Sequence, residues 1–285
     1  MSKVKIFADS TSDLPAAWLT EYRIGIIPLY VVFGDETFKD GVDMTPTELY
    51  RKVETGGSLP KTTAPSPKDF MDAFAPYIDR GEDIVYISLS SKLSSTYQNA
   101  LIAAGEFPED RVHVVDSLNL CSGIGLLVMK AVRAAQQGLA AREIVPLLEQ
   151  CRDRVETEFV IDTLEYLYKG GRCSGMQNFI GSLLQIRPVL KLVEGNIIPA
   201  YKVRGRKEKA VQQMLDNALS DIANMDGDLI IVAHTHAEDD ARRLAAILRE
   251  RTGSEVAISE AGCVISSHCG PGTVAIMYTR KNIPA

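Results

Sequence analysis

Residues 84–104 read IVYISLSSKLSSTYQNALIAA, an apolar β-rich run followed by a serine-rich stretch and a helix-forming run. The pattern predicts a strand over Ile84 to Leu89 and a helix over Ser94 to Ala104. Strand and helix signals alternate on both sides of this unit, and further strands are predicted over Val4 to Ala8, Ile24 to Phe33 and Val112 to Val115. Strands separated by helices imply right-handed βαβ crossovers, so we expect the first half of the chain to be an α/β unit on a parallel sheet.

Capping residues mark helix starts between these strands. Thr45-Pro46-Thr47-Glu48 has the form of a capping box with proline at the first helical position, and Ser66-Pro67 repeats this entry. Further helices are predicted over Pro15 to Tyr22 and, divided at Gly138, between Cys121 and Arg152. These helices are the connections that a parallel sheet requires.

The second half of the chain has a different pattern. Glu194-Gly195 lies between two apolar runs, Pro188 to Val193 and Asn196 to Val203, which is typical of a hairpin. The other elements predicted here are a strand over Phe159 to Ile161, a helix around Met176 to Leu184, a helix over Arg206 to Ala223, a strand over Leu229 to Ala233, a helix over Ala237 to Arg249 and a strand over Thr273 to Tyr278. The hairpin favours a sheet that is at least partly antiparallel.

Length and composition agree with two globular domains. At 285 residues the chain has about twice the usual length of one domain. Its 46% hydrophobic and 24% charged residues exclude a disordered or coiled-coil chain. We expect the boundary in the charged stretch Cys151 to Glu158, which gives a parallel-sheet domain over residues 1–155 and a mixed-sheet α/β domain over residues 156–285.

Charge and hydropathy exclude other classes of protein. The chain has 31 Lys and Arg against 37 Asp and Glu, a net charge of −6, so it lacks the basic excess that nucleic-acid binding requires. Ile26 to Phe33 is strand-sized and interrupted by Pro28, far short of the roughly 20 apolar residues of a membrane helix. The N-terminus enters a strand without an apolar signal region, and we expect a cytoplasmic location.

The cysteines predict neither a disulfide framework nor a metal site. There are five of them, an odd number, and no two form a CxxC pair. Cys263, His268 and Cys269 lack the usual zinc spacing, and no fourth ligand is indicated.

Polar segments next to the predicted strands are candidates for ligand binding. Asp9 to Pro15 supplies residues that suit helix caps and Asx turns. In the segment Lys61 to Pro67, Thr62 and Thr63 precede the helix start and have no capping role. Ser88 to Tyr97 has seven hydroxyls in ten residues after a strand, where open parallel sheets bind ligands. These hydroxyls favour an anion, although a serine-rich turn with a cap explains the same residues.

A last set of polar segments combines glycine with basic residues. Gly170-Gly171-Arg172 could bring the backbone close to a ligand while the guanidinium binds an oxyanion, although a glycine turn with a solvated arginine has the same sequence. Lys202 to Gly205 and Ser267 to Gly272 have a similar composition, and His268 is the histidine that best suits a functional role. The chain has no GxSxG elbow, Walker loop or GxGxxG motif, so the residues alone indicate an anion site and no particular reaction.

Seven motifs, in chain order, resemble those of the DegV family. Characterised members of that family are bacterial fatty acid-binding proteins that serve as the carrier subunit of fatty acid kinase. The resemblance covers residues 3–281. The motifs are Asp9 to Pro15, Thr62 to Pro67, Leu93 to Gln98, Asp162 to Leu167, Gly170-Gly171-Arg172, Lys202-Val203-Arg204 and His268 to Gly272.

The resemblance implies a two-domain α/β fold that holds one long-chain fatty acid, such as palmitate or stearate. It implies that Thr62 and Ser94 fix the carboxylate, that Arg172 and His268 belong to the head-group network, and that Arg204 faces the kinase subunit. It further implies no catalytic residue, cofactor or metal in this chain, transfer of phosphate by the ATP-dependent partner, and at most a transient contact with a membrane surface.

Two departures from the family pattern put the ligand preference in question. This chain has Ala64 where the family commonly has glutamine, and Ser95 where it commonly has glycine. Two other functions remain open. One is an enzyme that acts on a small phosphorylated or carboxylated metabolite with His268 as acid or base, and the other is a regulatory protein that senses lipid.

Overall fold

The computed structural model describes residues 3–173 and 186–281. Within these ranges the strands are β1 (Val4–Asp9), β2 (Gly25–Ile27), β3 (Tyr30–Phe33), β4 (Glu36–Lys39), β5 (Lys61–Thr63), β6 (Asp83–Ser88), β7 (Val112–Asp116), β8 (Val155–Val160), β9 (Ile186–Val193), β10 (Asn196–Arg204), β11 (Met225–Thr235), β12 (Glu255–Glu260) and β13 (Thr273–Arg280). The α-helices are α1 (Ala16–Glu21), α2 (Pro46–Gly56), α3 (Pro67–Ile78), α4 (Thr96–Ala104), α5 (Ser122–Gln136), α6 (Ala141–Arg152), α7 (Glu165–Gly170), α8 (Lys207–Ser220), α9 (Glu238–Thr252) and α10 (Cys263–Cys269).

The first sheet is parallel, as the sequence predicts. Its strand order is β2-β1-β6-β7, and every neighbouring pair is parallel. The predicted helix starts are also confirmed, since Thr45 and Ser66 each form a capping box with the acidic residue three positions later. The mixed α/β class of the fold is therefore confirmed.

The single strand predicted over Ile24 to Phe33 is wrong. The chain forms β2 in the parallel sheet, leaves it at Pro28, and forms β3 in a separate antiparallel sheet of order β4-β3-β5. Proline has no N–H with which to continue the ladder. The next residue, Leu29, donates its N–H to the Ser10 hydroxyl at 3.1 Å instead of to a strand.

The second sheet has six strands in the order β10-β9-β8-β13-β11-β12. β11 and β12 are parallel, and the other neighbours are antiparallel. The predicted hairpin is confirmed as β9 and β10, with Glu194 and Gly195 at positive φ in its turn. β12 was not expected, and the helix predicted around Met176 to Leu184 lies outside the described residues.

Helix α5 lies between the two larger sheets. It packs against β1 and β6 of the parallel sheet and against β8, β11 and β13 of the mixed sheet. One continuous core includes buried residues of both sheets, for example Ile6, Val85, Ile231 and Met277. The outer faces are covered by α3 and α4 on the parallel sheet and by α8 and α9 on the mixed sheet.

Division of the chain into domains at residues 155 and 156 stays a prediction. Because the central core draws on both halves, side chains from distant parts of the sequence meet around it. In the described ranges, no helix combines the length and the apolar character that crossing a membrane would take.

Candidate ligand-binding site

Three of the predicted site residues lie on strands or helices, namely Thr62, His268 and Arg204. Thr62 is the middle residue of β5, where it pairs with Val31 of β3. His268 lies near the end of the short helix α10.

The structure brings the four predicted ligand-binding residues to one cavity of about 240 Å³. Thr62 comes from β5, Ser94 from the turn before α4, Arg172 from the turn after α7, and His268 from α10. The apolar lining residues include Leu29, Leu89, Leu93, Leu120, Ile197, Val264 and Ile265. Thr63 and Ser95 also line it, so the cavity combines several polar side chains with apolar walls.

A hydrogen bond between Thr62 and His268 connects the two halves of the chain. The Thr62 hydroxyl lies 2.8 Å from Nε2 of His268. Ser94 has a local contact instead, with its hydroxyl 2.8 Å from that of Thr96 and accepting the Thr96 N–H at 3.3 Å. Each hydroxyl thus has a fixed neighbour on the protein side and further hydrogen-bonding capacity.

The environment of His268 favours its neutral form. Burial lowers its pKa to about 4, and the nearby Arg172 cation acts in the same direction. Among the residues that the structure describes, its buried Nδ1 atom has no hydrogen-bond partner. A side chain at Gly170 would place Cβ only 2.4 Å from Nδ1, so glycine is required for this close approach. Near neutral pH, His268 thus acts through hydrogen bonds and not through a full charge.

The two predicted arginines differ in position. Arg172 is exposed, lines the cavity, and donates from Nη1 to the Gly170 carbonyl at 2.6 Å. Arg204 ends β10, seven residues along the strand from the cavity residue Ile197, or roughly 23 Å at the rise of a strand. Arg204 is not a lining residue of this cavity.

A small interior cavity of about 20 Å³ adjoins the first one. Leu120, Ile265 and Cys269 line both. Ala233, Ala275 and Phe159 stand side by side on β11, β13 and β8 and line the interior cavity on the mixed sheet. We call Ala233, Ala275 and Phe159 the alanine row. Because two of its three residues are alanines, it leaves space beneath α10.

Sequence reasoning missed α10 and the interior cavity. Val264 and His268, and likewise Ile265 and Cys269, are four residues apart and all line the larger cavity. That spacing is typical of one helix face and was a usable signal. The alanine row had no such signal, because it depends on the register of three strands distant in sequence.

A metal centre has no support in the geometry. Within residues 3–173 and 186–281, no three or more His, Cys, Asp and Glu side chains are grouped so as to hold a metal ion. The polar end of the cavity instead offers hydroxyls, a neutral imidazole and an exposed guanidinium, which suit a carboxylate or a phosphate.

Comparison with known proteins gives a consistent result. A family model described as "Uncharacterised protein, DegV family" matches residues 3–281. A Thermotoga maritima protein named fatty acid-binding protein is 36% identical over 281 residues, covering 95% of this chain and 96% of that protein. The solved structure of a fatty acid-binding DegV family protein from Thermus thermophilus has a TM-score of 0.90 at 33% identity, covering 97% of this chain and 99% of that one. A stearic acid-binding protein from Eubacterium ventriosum has a TM-score of 0.88 at 25% identity, covering 99% of each chain.

Proposed function

The chain belongs to the DegV family, and we propose that it binds one long-chain fatty acid and presents its carboxylate to an ATP-dependent fatty acid kinase subunit. The observation that carries the proposal is the cavity with Thr62, Ser94 and His268 at one end and an apolar interior beyond Leu120 and Ile265. Relatives of known structure that bind fatty acids support it.

The head group is proposed to bind at the hydroxyls. If the neutral His268 donates its Nε2 proton to the Thr62 oxygen, the Thr62 hydroxyl proton is available to a carboxylate oxygen. If the Thr96 hydroxyl donates to the Ser94 oxygen, which also accepts the Thr96 N–H, the Ser94 proton is left for the second carboxylate oxygen. Arg172 at the rim adds a positive charge without a buried ion pair.

The acyl tail is proposed to run past Leu120 and Ile265 toward the alanine row. Each buried methylene contributes about 0.8 kcal/mol, so a sixteen-carbon chain gains on the order of 10 kcal/mol before the costs of binding. A hydrogen bond to a neutral hydroxyl contributes only about 0.5 to 1.5 kcal/mol. The tail therefore provides most of the affinity, and the hydroxyls fix the position of the carboxylate.

This division of roles suits a carrier. The partner would transfer a phosphoryl group from ATP to a carboxylate oxygen, giving an acyl phosphate and ADP. In this proposal Arg172 at the rim faces the added charge, and Arg204 on β10 faces the partner. In this proposal residues 1–155 supply the hydroxyls and residues 156–285 the imidazole and the guanidiniums, with no cofactor and a cytoplasmic site of action.

Solvent extraction of the purified protein, followed by mass spectrometry, tests the proposal. We expect one equivalent of a palmitate- or stearate-sized acid, or uptake of one equivalent when the protein is exposed to it. Protein that neither carries nor accepts a fatty acid would refute the binding. Loaded protein whose bound fatty acid no fatty acid kinase can phosphorylate would instead favour a lipid-sensing role.

A further inference from the structure

Helix α10, which carries His268, begins without a capping side chain of its own. The residue before its first turn is Gly262, which has no side chain that could accept a hydrogen bond from the first N–H groups of the helix. Helices leave their first N–H groups without backbone partners, and these groups need acceptors when they are buried. Their acceptors here must come from elsewhere in the chain.

Two aspartates from the first half of the chain supply those acceptors. Asp13 Oδ1 accepts the Gly262 N–H at 2.7 Å, and Asp40 Oδ1 accepts the Cys263 N–H at 2.7 Å. Both side chains are buried. The Ser259 hydroxyl also donates to the Asp13 carbonyl, and the Cys263 thiol donates to the Met44 carbonyl at 3.2 Å. Hydrogen bonds thus connect the start of α10 to Asp13, Asp40 and Met44 in the first half of the chain.

The face of α10 that follows these caps lines the ligand cavity. Val264, Ile265, His268 and Cys269 all contribute to its wall. His268 is about one and a half turns beyond the capped N–H groups and meets Thr62 of β5 at 2.8 Å. Any shift of the helix start therefore moves the imidazole relative to Thr62.

We propose that Asp13 and Asp40 are positioning residues for His268, which hold α10 in the place where the imidazole bonds to Thr62 and the hydroxyl is aligned for a carboxylate. The inference deepens the proposed function and rests on it for the identity of the ligand. Neither aspartate contacts the cavity, so neither is expected to touch the fatty acid.

A comparison of asparagine with alanine variants tests this proposal. Burial raises the pKa of Asp13 well above its usual range and also raises that of Asp40. Asparagine has the shape of aspartate and keeps one oxygen that can accept an N–H. Asp13→Asn and Asp40→Asn should therefore preserve the caps, whereas Asp13→Ala and Asp40→Ala remove them.

The experiment measures three properties of these four variants. The ¹⁵N shifts of the His268 imidazole in ligand-free protein, assigned with His268→Gln, report the bond to Thr62. Palmitate titration reports affinity, and thermal unfolding reports stability. The control is Glu143→Ala, which removes a carboxylate 2.8 Å from the Ala140 N–H at the start of α6, on the surface.

We expect both alanine variants to move the His268 resonance and to weaken palmitate binding about three- to tenfold, the effect of one hydrogen bond. The asparagine variants should stay within about twofold of wild type, and Glu143→Ala should lose stability without either change. Alanine variants that lose stability but keep the His268 shift and the affinity would overturn the proposal.

One further variant, Gly262→Ala, tests the proposal if the alanine variants of Asp13 and Asp40 do not fold. Gly262→Ala keeps both carboxylates but places Cβ 2.9 Å from one Asp40 oxygen and 3.2 Å from one Asp13 oxygen. It should move the His268 resonance in the same direction, and an unchanged resonance would overturn the proposal. Because the resonance is read without ligand, a wild-type protein that fails to bind palmitate refutes the proposed function and leaves this test intact.

Discussion

At the polar end of the cavity, Thr62, Ser94 and His268 each have a protein neighbour within about hydrogen-bond distance, whereas the interior end is lined on the mixed sheet by Ala233, Ala275 and Phe159. The polar end is assembled from one short strand, one turn and one helix end, all from different parts of the chain. The interior end is built on three adjacent strands. The convergence of these elements therefore fixes the positions of the polar side chains. At the interior end, the small residues on the sheet leave space for an apolar chain.

The largest effect should come from filling the interior end. Ala275→Leu would occupy the space of three to four methylenes, and at about 0.8 kcal/mol for each one we expect palmitate affinity to fall about 100-fold. We expect the shorter tail of octanoate to end before the alanine row, so its affinity should stay within about threefold.

The control for this variant is Ala100→Leu, which overfills the core between the parallel sheet and its outer helices without lining either cavity. It should cost similar stability and leave palmitate binding unchanged. Equal loss of octanoate and palmitate in Ala275→Leu would show that the tail does not reach this row.

The next largest effect concerns pH and belongs to the polar end. The pKa of His268 is lowered from 6.5 to about 4 in the folded protein, so the unfolded chain binds a proton at higher pH than the folded one. Stability should therefore fall as the pH is lowered, by about 2 kcal/mol between about pH 7.5 and about pH 5.

Urea denaturation at several pH values measures this effect as the difference between wild type and His268→Gln, which cancels the contributions of the buried aspartates. Ala275→Leu should keep the wild-type pH dependence. A His268→Gln protein with the same pH dependence as wild type would contradict the low pKa.

A smaller effect is expected for the hydroxyl of Thr62. Thr62→Val keeps the shape of the side chain and removes one hydrogen bond, so fatty acid binding should weaken about three- to tenfold. The loss should be the same for octanoate and palmitate, because both have the same head group. Thr37→Val, on the exposed strand β4 and outside both cavities, is the control and should stay near wild type. A loss that grows with chain length would show that the substitution disturbs the tail.

The smallest effect is expected at the exposed rim. Arg172→Ala should weaken palmitate binding only about two- to fivefold in dilute buffer, and the difference should fade at high salt, because exposed charges are screened. Arg204→Ala should not change palmitate affinity, since Arg204 does not line the cavity. A tenfold or larger loss in Arg172→Ala that resists salt would mean that the guanidinium is buried against the ligand.

The same comparison explains what the sequence could predict. The parallel sheet, the capping boxes at Thr45 and Ser66 and the hairpin at Glu194-Gly195 follow from local patterns, and the structure has all of them. The four predicted ligand-binding residues lie in segments that local composition already indicated, and the family resemblance supplied their roles. The structure brings them to one cavity, while those roles remain proposals.

Other features depend on contacts between distant residues. At Pro28 the chain leaves the parallel sheet, and Leu29 then donates to Ser10, which is distant in sequence. The short strand β5 is likewise stabilised by pairing with β3, about thirty residues earlier. The caps on α10 come from Asp13 and Asp40, more than two hundred residues away. The alanine row requires the register of β8, β11 and β13, which forms only when the sheet does.

Titration calorimetry of the wild-type protein with saturated fatty acids of increasing length tests most directly whether the tail provides the affinity. At about 0.8 kcal/mol per methylene, each added carbon should tighten binding about fourfold, until the interior end is full and the affinity levels off or falls. An affinity that stays constant from about six to about sixteen carbons would contradict the account, because it would mean that only the carboxylate is bound.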